Sequence, residues 1–198
     1  MSNHYYTSEP AAAHDRKEWE ATLRGLTFRF ISDAGVFAKG GVDYGSRVLI
    51  DAMDIPDDAQ VLDVGCGYGP IGLTAAKLAK NGHVTMIDVN RRAVQLAQEN
   101  ANHNKVPNVT ILESDLFAAV GEQQFDVILT NPPIRAGKET VHAIFEGAYT
   151  RLVDGGTLWV VIQKKQGAPS ARQKLESLFP LVEEVTKDKG YRIYKATK

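Results

Sequence analysis

Gln60-Val-Leu-Asp-Val-Gly-Cys-Gly-Tyr-Gly-Pro-Ile71 is the stretch that decides the fold. Gln60 to Val64 is a short apolar run of strand length, and Ile71 to Lys80 carries a helical pattern. Between them lie Gly65, Gly67 and Gly69, then Pro70, which suits the first turn of a helix because its missing N–H costs nothing there. Strand, glycine loop and helix form a ligand-binding turn: glycines let the backbone approach a ligand, and the free N–H groups of a helix start attract anions. The spacing is G-x-G-x-G rather than the G-x-G-x-x-G of dinucleotide enzymes, which disfavours a nicotinamide dehydrogenase.

Outward from this stretch, strands and helices alternate. The patterns predict strands at Val61–Val64, His83–Ile87, Val109–Leu112, Phe125–Thr130 and Thr157–Ile162. They predict helices over Ile71–Lys80, Arg91–Asn104 and Glu139–Leu152. Such alternation gives an α/β fold, a mostly parallel sheet with helices on both faces. Asp154-Gly-Gly156 reads as a turn, and Ser170 to Phe179 as a further helix capped by Ser170. Leu181–Thr186 and Tyr191–Ala196 flank Asp188-Lys-Gly190, the pattern of an antiparallel hairpin. Before the glycine loop, the spacing predicts a short helical stretch around Arg16–Leu23, a strand over Leu26–Ile31, and a helix from Asp43, its cap, to Met53.

Two places at the carboxyl ends of strands carry chemistry. Open α/β sheets put their ligand crevice there. Asp88 ends the strand His83–Ile87, where an acid can accept the two hydroxyls of a ribose; as an alternative it caps the helix from Arg91, although Asn90 can do that. Thr130-Asn-Pro-Pro-Ile134 follows the strand Phe125–Leu129. Its two prolines fix their own φ angles and hold the preceding residues extended, so the turn is stiff. Asn131 and the Pro132 carbonyl can together accept both hydrogens of an –NH2 group, which suits the turn to holding a planar amine.

These motifs resemble those of class I S-adenosylmethionine (SAM) methyltransferases, over nearly the whole chain. Asp63-Val-Gly-Cys-Gly-Tyr-Gly69 is similar to their cofactor motif, Asp88 is at the position of their ribose acid, and Ser114-Asp115-Leu116 is at the position flanking the adenine. Asn131-Pro132-Pro133-Ile134 resembles the (Asn/Asp)-Pro-Pro-(Tyr/Phe) signature of enzymes that methylate planar amine nitrogens. Gly35-Val-Phe-Ala-Lys39 and Asp43-Tyr-Gly-Ser46 look like the segment that covers the cofactor in guanine-N2 methyltransferases of small-subunit ribosomal RNA. The resemblance implies a Rossmann-like seven-stranded sheet closed by a C-terminal antiparallel hairpin. It implies one methyltransferase domain over 1–198, with 1–42 as an extension covering the cofactor site. It further implies a cytoplasmic enzyme, a monomer or weak dimer, acting on ribosomal RNA or the small ribosomal subunit.

By that resemblance, Asn131, Pro132, Pro133 and Ile134 form the catalytic turn. The cofactor site takes Phe37, Lys39, Asp43, Gly45, Asp63, Gly65, Cys66, Gly67, Gly69, Asp88, Val89, Asn90, Ser114, Asp115, Leu116 and Asn131. Ile134 departs from the family pattern, since an aromatic there would stack on the target base, a contact of roughly 1–3 kcal/mol. Phe37, Tyr44, Tyr68 or Trp159 could supply the missing platform; each also suits core packing. Adenine N6 and a protein glutamine are the alternative acceptors, and a SAM-fold module without catalysis is a further reading.

Composition sets the outer bounds. A chain of 198 residues with 43% hydrophobic content suits one globular domain with a sizeable core and leaves no room for the additional N-terminal domain of larger relatives. The single cysteine, Cys66, rules out an intramolecular disulfide and is compatible with a reducing cytoplasm. No apolar run reaches membrane-spanning length, the N-terminus is no signal peptide, and neither C-x-x-C nor H-E-x-x-H suggests a metal. A net charge of −1 argues against a nonspecific polyelectrolyte binder but leaves room for a local basic face. Candidates are Arg16 and Lys17, Arg24 and Arg29, the tail cations Lys187, Lys189 and Arg192, and above all Lys164 and Lys165, expected on the rim beside the Asn131 turn.

Overall fold

The computed structural model describes residues 7–38 and 40–198; Lys39 and the first six residues lie outside them. Strands β3 (Gln60–Val64), β4 (His83–Asp88), β5 (Val109–Glu113), β6 (Phe125–Thr130), β7 (Leu152–Gln163), β8 (Leu181–Asp188) and β9 (Tyr191–Thr197) form a seven-stranded sheet in the order β5-β4-β3-β6-β7-β9-β8. The first five run parallel and β9 pairs antiparallel with both β7 and β8. The order reverses between β3 and β6. Chain segments leaving those two strands diverge to opposite sides, and the gap between them is the crevice such sheets use for ligands.

Side-chain alternation sorts the sheet into two cores. Val61, Val84, Met86, Val127, Leu129, Trp159 and Val161 face α1 (Tyr44–Ala52), α2 (Pro70–Leu78) and α3 (Arg91–His103). Leu62, Ile87, Ile128, Leu158, Val160 and Ile162 face α4 (Lys138–Arg151) and α5 (Ala168–Leu178). Both faces are covered, as a parallel sheet requires.

An antiparallel pair, β1 (Lys17–Leu23) and β2 (Leu26–Ser32), lies over the α3 side. The segment expected to be helical around Arg16–Leu23 is thus a strand. Trp19, Ala21 and Leu23 alternate with Glu18, Glu20 and Thr22, and period two wins once the apolar side has a surface to cover. Phe28 and Phe30 are fully buried, with Phe30 and Trp19 edge-on to the Tyr68 ring at 5.6 and 5.5 Å. Asn100 on α3 bonds both the N–H and the C=O of Ile31 and donates to the Tyr68 carbonyl, tying the hairpin to the glycine loop. Arg24 and Gly25 both have positive φ, 54° and 75°, as a two-residue type I′ turn demands; Lys189 and Gly190 repeat the device between β8 and β9.

Two further expectations are corrected. Ser170 lies inside α5, whose N-cap is Gly167 in the left-handed region at φ 102°; Pro169 in the first turn carries the start signal instead. Asp154-Gly-Gly156 is not a turn before β7 but an irregular part of it: the pairing with β6 slips between Phe125 and Val127, and the Gly155 and Lys198 backbones bond there. By contrast, Asp43 caps α1 as expected, its side chain accepting the Ser46 N–H at 3.1 Å.

Candidate active site

The carboxyl ends of β3, β4 and β6 open onto one cavity of about 370 Å³, a size that encloses a drug-sized ligand. Its floor begins with the glycine loop. The N–H groups of Gly65 and Cys66 both donate to the Ile87 carbonyl, and Gly69 N–H closes the loop on the Cys66 carbonyl at 3.1 Å. Gly65 and Gly67 have φ of 74° and 57°, and a Cβ on either would meet no protein atom within 4 Å, so the loop presents bare backbone.

Asp88 stands beside this loop. Its carboxylate accepts the Gly67 N–H at 2.8 Å and the Asn90 N–H at 2.9 Å. Burial raises its pKa to about 6, against the pull of the N–H groups of Asn90, Gly67 and Val89. Asn90 does the capping of α3, accepting the Ala93 N–H, so Asp88 is not needed as a cap. Asn90 also donates to the Gly35 carbonyl at 2.8 Å, and Arg92 to the Ala34 carbonyl at 2.6 Å. These two bonds seat Val36, Phe37 and Ala38 on the cavity wall. Opposite, Ser114, Asp115 and Leu116 line the far end; Ser114 Oγ donates to the Leu116 carbonyl and accepts the Ala119 N–H, fixing that turn.

The Asn131 turn forms the remaining wall. Thr130 Oγ1 donates to the Val64 carbonyl at 3.0 Å, locking the end of β6 to the end of β3. Asn131 Nδ2 then donates to Asp43 Oδ2 at 3.1 Å and to Ser46 Oγ at 3.0 Å. Both amide hydrogens are thereby used. Among the described residues no donor reaches Asn131 Oδ1 or the Pro132 carbonyl, so two acceptors remain at the cavity wall.

Of the residues singled out in the sequence, Phe37, Asp43, Gly65, Cys66, Gly67, Asp88, Val89, Asn90, Ser114, Asp115, Leu116, Asn131, Pro132 and Pro133 converge on this cavity. Gly45, Asp63, Gly69 and Ile134 stand behind or beside its lining, and Lys39 lies outside the described residues. Asp63 is fully buried beneath the loop, and burial, with the neighbouring Asp88 charge, lifts its pKa to about 7. Burial and the Asp88 and Asp63 charges push the Cys66 thiol up, so it stays protonated. Ala136, Thr140 and Ile144, not singled out in the sequence, also line the cavity, as does Ser46, quoted there only as the end of the Asp43–Ser46 stretch. Thr140 and Ile144 are an i,i+4 pair on one face of α4, the one pattern that could have found them.

Among the four aromatic candidates, Tyr68 and Trp159 are core residues, 1% and 3% exposed. Trp159 belongs to the opposite end of the sheet, with Lys195 over its ring. Tyr44 is tied to Tyr191 and Asp188 away from the lining. Phe37, 39% exposed, is the one of the four that is both accessible and on the wall. Lys164 and Lys165 occupy a single 3-10 turn after β7, on the rim shared with Asn131, and both are exposed. No helix of the described residues is long and apolar enough to cross a membrane, and among them no group of His, Cys, Asp and Glu could hold a metal ion.

Comparison with known proteins places the chain in a family. The chain is 55% identical over its full length to an uncharacterized protein of Bacillus subtilis, YbxB, and covers 100% of it. It is 31% identical to ribosomal RNA small subunit methyltransferase C of Vibrio cholerae, over 94% of this chain and 56% of that one. With ribosomal RNA large subunit methyltransferase G of Pseudomonas putida it shares 35%, over 89% and 48%. The chain thus spans about half the length of these two ribosomal RNA methyltransferases. Among solved structures, the T. thermophilus 16S rRNA N2 methyltransferase in complex with AdoMet and guanosine superposes with a TM-score of 0.83 at 27% identity, over 96% of this chain and 52% of that one. The methyltransferase small domain matches residues 27–195, and the chain belongs to that family.

Proposed function

We propose that this chain transfers a methyl group from SAM to an exocyclic amine of a ribosomal RNA base, guanine N2 of small-subunit RNA in first place. One observation carries the reading. The Asn131 amide has both hydrogens engaged by Asp43 and Ser46, which leaves its oxygen, beside the Pro132 carbonyl, as an acceptor on the wall of a cavity that also bears Asp88. The named relatives support RNA as the substrate class, and the guanosine bound by the solved neighbour supports the base.

The residues present fit SAM. Asp88 would accept the ribose hydroxyls, the bare backbone at Gly65 and Gly67 would lie against the amino-acid part, and Ser114 to Leu116 would flank the adenine. When bound, SAM supplies an electrophilic methyl on a sulfonium. The protein's task is the acceptor. An exocyclic amine is a poor nucleophile because its lone pair is delocalised into the ring. Hydrogen bonds to Asn131 Oδ1 and the Pro132 carbonyl hold the nitrogen and favour a tetrahedral shape with the lone pair directed away from those bonds. Such positioning contributes several kcal/mol, up to about 7–11 in well-oriented model reactions. The base must be unpaired or flipped out to reach the wall, and Phe37 is the exposed aromatic on that wall. After transfer the nitrogen sheds its extra proton to water; Asp63 is sealed beneath the loop and cannot take it.

The experiment is transfer of labelled methyl from SAM to naked small-subunit RNA, assembled small subunits and a release factor, followed by digestion of the product. N2-methylguanosine is the expected product. Asn131→Ala is expected to lower kcat roughly 10²-fold while leaving SAM affinity near that of the natural chain. N6-methyladenosine or label in the release factor would replace guanine as the acceptor, and no transfer to any of the three would overturn the reading.

A further inference from the structure

We propose that Asp43 and Ser46 are positioning residues for the acceptor amine, holding the Asn131 amide in the one orientation that presents its oxygen to the cavity. The inference rests on the reading above that Asn131 receives that amine, but the orientation itself can be tested without any substrate.

An Asn amide has a donor end and an acceptor end of nearly equal shape, so an unrestrained side chain can turn either one to the ligand. With the donor end inward, Asn131 would offer N–H to the N–H of an amine and repel it. Asp43 Oδ2 already accepts the Ser46 N–H at 3.1 Å, which obliges that atom to be an acceptor toward Asn131 as well. Ser46, buried at 5% exposure, supplies its Oγ at 3.0 Å. The Asp43 carboxylate oxygen can only accept, so it fixes that end of the amide as Nδ2; the Ser46 hydroxyl, able to donate or accept, completes the pair by accepting the second hydrogen.

The device is built from the cap of α1. Asp43 and Ser46 are the two partners of one N-terminal capping bond, so the start of the helix and the orientation of Asn131 are set by the same atoms. Gly45, between them, keeps the arrangement compact: a Cβ there would stand 2.7 Å from Tyr191 Cε1 and 3.1 Å from Asp43 Oδ2. Asn131 reaches this cap across 85–88 positions of sequence, because β6 ends beside the turn that starts α1.

Three variants separate positioning from other roles. Ser46→Ala removes one acceptor. Asp43→Ser keeps an oxygen to cap the helix but, one bond shorter, withdraws it from Asn131. Asp43→Asn keeps an acceptor oxygen at the Oδ2 position and removes only the charge. The first readout is the side-chain amide of Asn131 by nitrogen-15 NMR, with no cofactor or RNA present, its signals assigned by their loss in Asn131→Asp. The two protons are expected to be shifted and protected in the natural chain and in Asp43→Asn, and to move toward solvent-exchanging positions in Ser46→Ala and Asp43→Ser. The second readout is methyl transfer. Losing either bond is expected to lower kcat about tenfold, more than it raises KM for SAM, while Asp43→Asn recovers most of the rate lost in Asp43→Ser. Unchanged Asn131 amide signals in Ser46→Ala and Asp43→Ser would overturn the inference, as would an Asp43→Asn variant as slow as Asp43→Ser. Failure of the natural chain to methylate RNA would instead strike the proposed function, and the NMR arm would still decide the orientation.

Discussion

Asp63 shows how far a single side chain can be held from its ordinary state. It sits in the middle of the face that β3 turns to α2, with no exposed surface and no well-formed hydrogen bond to either oxygen. The Gly72 amide opposes the rise in pKa only in part, and the carboxyl titrates near 7 rather than 3.8. The folded chain therefore keeps a proton that the unfolded chain releases. Stability is full below pH ~4, declines as pH rises through the folded value, and is lowest above it. Asp63→Asn removes the charge and keeps the shape. In the absence of ligand it is expected to gain about 1–3 kcal/mol at pH 8 and almost nothing at pH 4, measured by urea unfolding at the two pH values. An equal gain at both would assign the effect to packing rather than to a buried charge. Such a cost is tolerable at a ligand site, where a cationic ligand group nearby favours the ionised form.

At the scale of elements, α1 is the piece whose placement matters most, and it is held against β9 by an absence. Gly45 meets the Tyr191 ring so closely that an added methyl would fall 2.7 and 2.9 Å from two ring carbons. The backbone at Gly45 is ordinary helix, so Gly45→Ala adds no backbone strain there, and the whole effect must come from displacing Tyr191 or the start of α1. A stability loss of about 1–3 kcal/mol is expected, together with altered Asn131 amide signals, since Asp43 is also in the path. A loss of stability with unchanged Asn131 signals would mean that the Tyr191 ring moves and the helix does not. This contact explains what the sequence could and could not disclose. The glycine loop, Asp88 and the Asn131 turn were legible because glycine and proline punctuate the chain locally. The meeting of Asp43, Ser46 and Asn131 was not, because a contact between elements far apart in sequence leaves no mark in their spacing. The strand at Lys17–Leu23 was misread for the same reason: its alternation is short, and only the surface it packs on, α1 and Tyr68, decides between the two periods.

Across the whole molecule the charges nearly cancel, with 23 Lys and Arg against 24 Asp and Glu. On the proposed function, affinity for RNA would therefore come from where the cations stand. Much of the basic residue set is already committed: Arg16 to Glu99, Arg29 to Glu18, Arg192 to Glu184, and Arg24 to the carbonyls of Ile50 and Met53. Lys189 lies over the Tyr44 ring. Lys80, Lys105 and Lys187 are exposed and in no ion pair among the described residues but stand elsewhere; Lys164, Lys165, Arg135 and Lys138 are exposed and in no ion pair as well, and these four belong to segments that follow the carboxyl ends of β6 and β7. Arg135 and Lys138 come directly after the Asn-Pro-Pro turn, so a backbone bound along this rim would bring a flipped base to Asn131. Phosphate contacts release counterions, and each removed contact flattens the salt dependence by about 0.7–0.9 in log–log slope. Lys164→Ala with Lys165→Ala is expected to weaken RNA binding at low salt and to reduce that slope by about 1.5. SAM affinity should be unchanged, because neither lysine lines the cavity. A titration of RNA binding between low and moderate salt measures the slope directly. An unchanged slope would move the RNA off this rim, whereas a reduced slope with lost SAM binding would mean that the double substitution had disturbed the end of β7 rather than a phosphate contact.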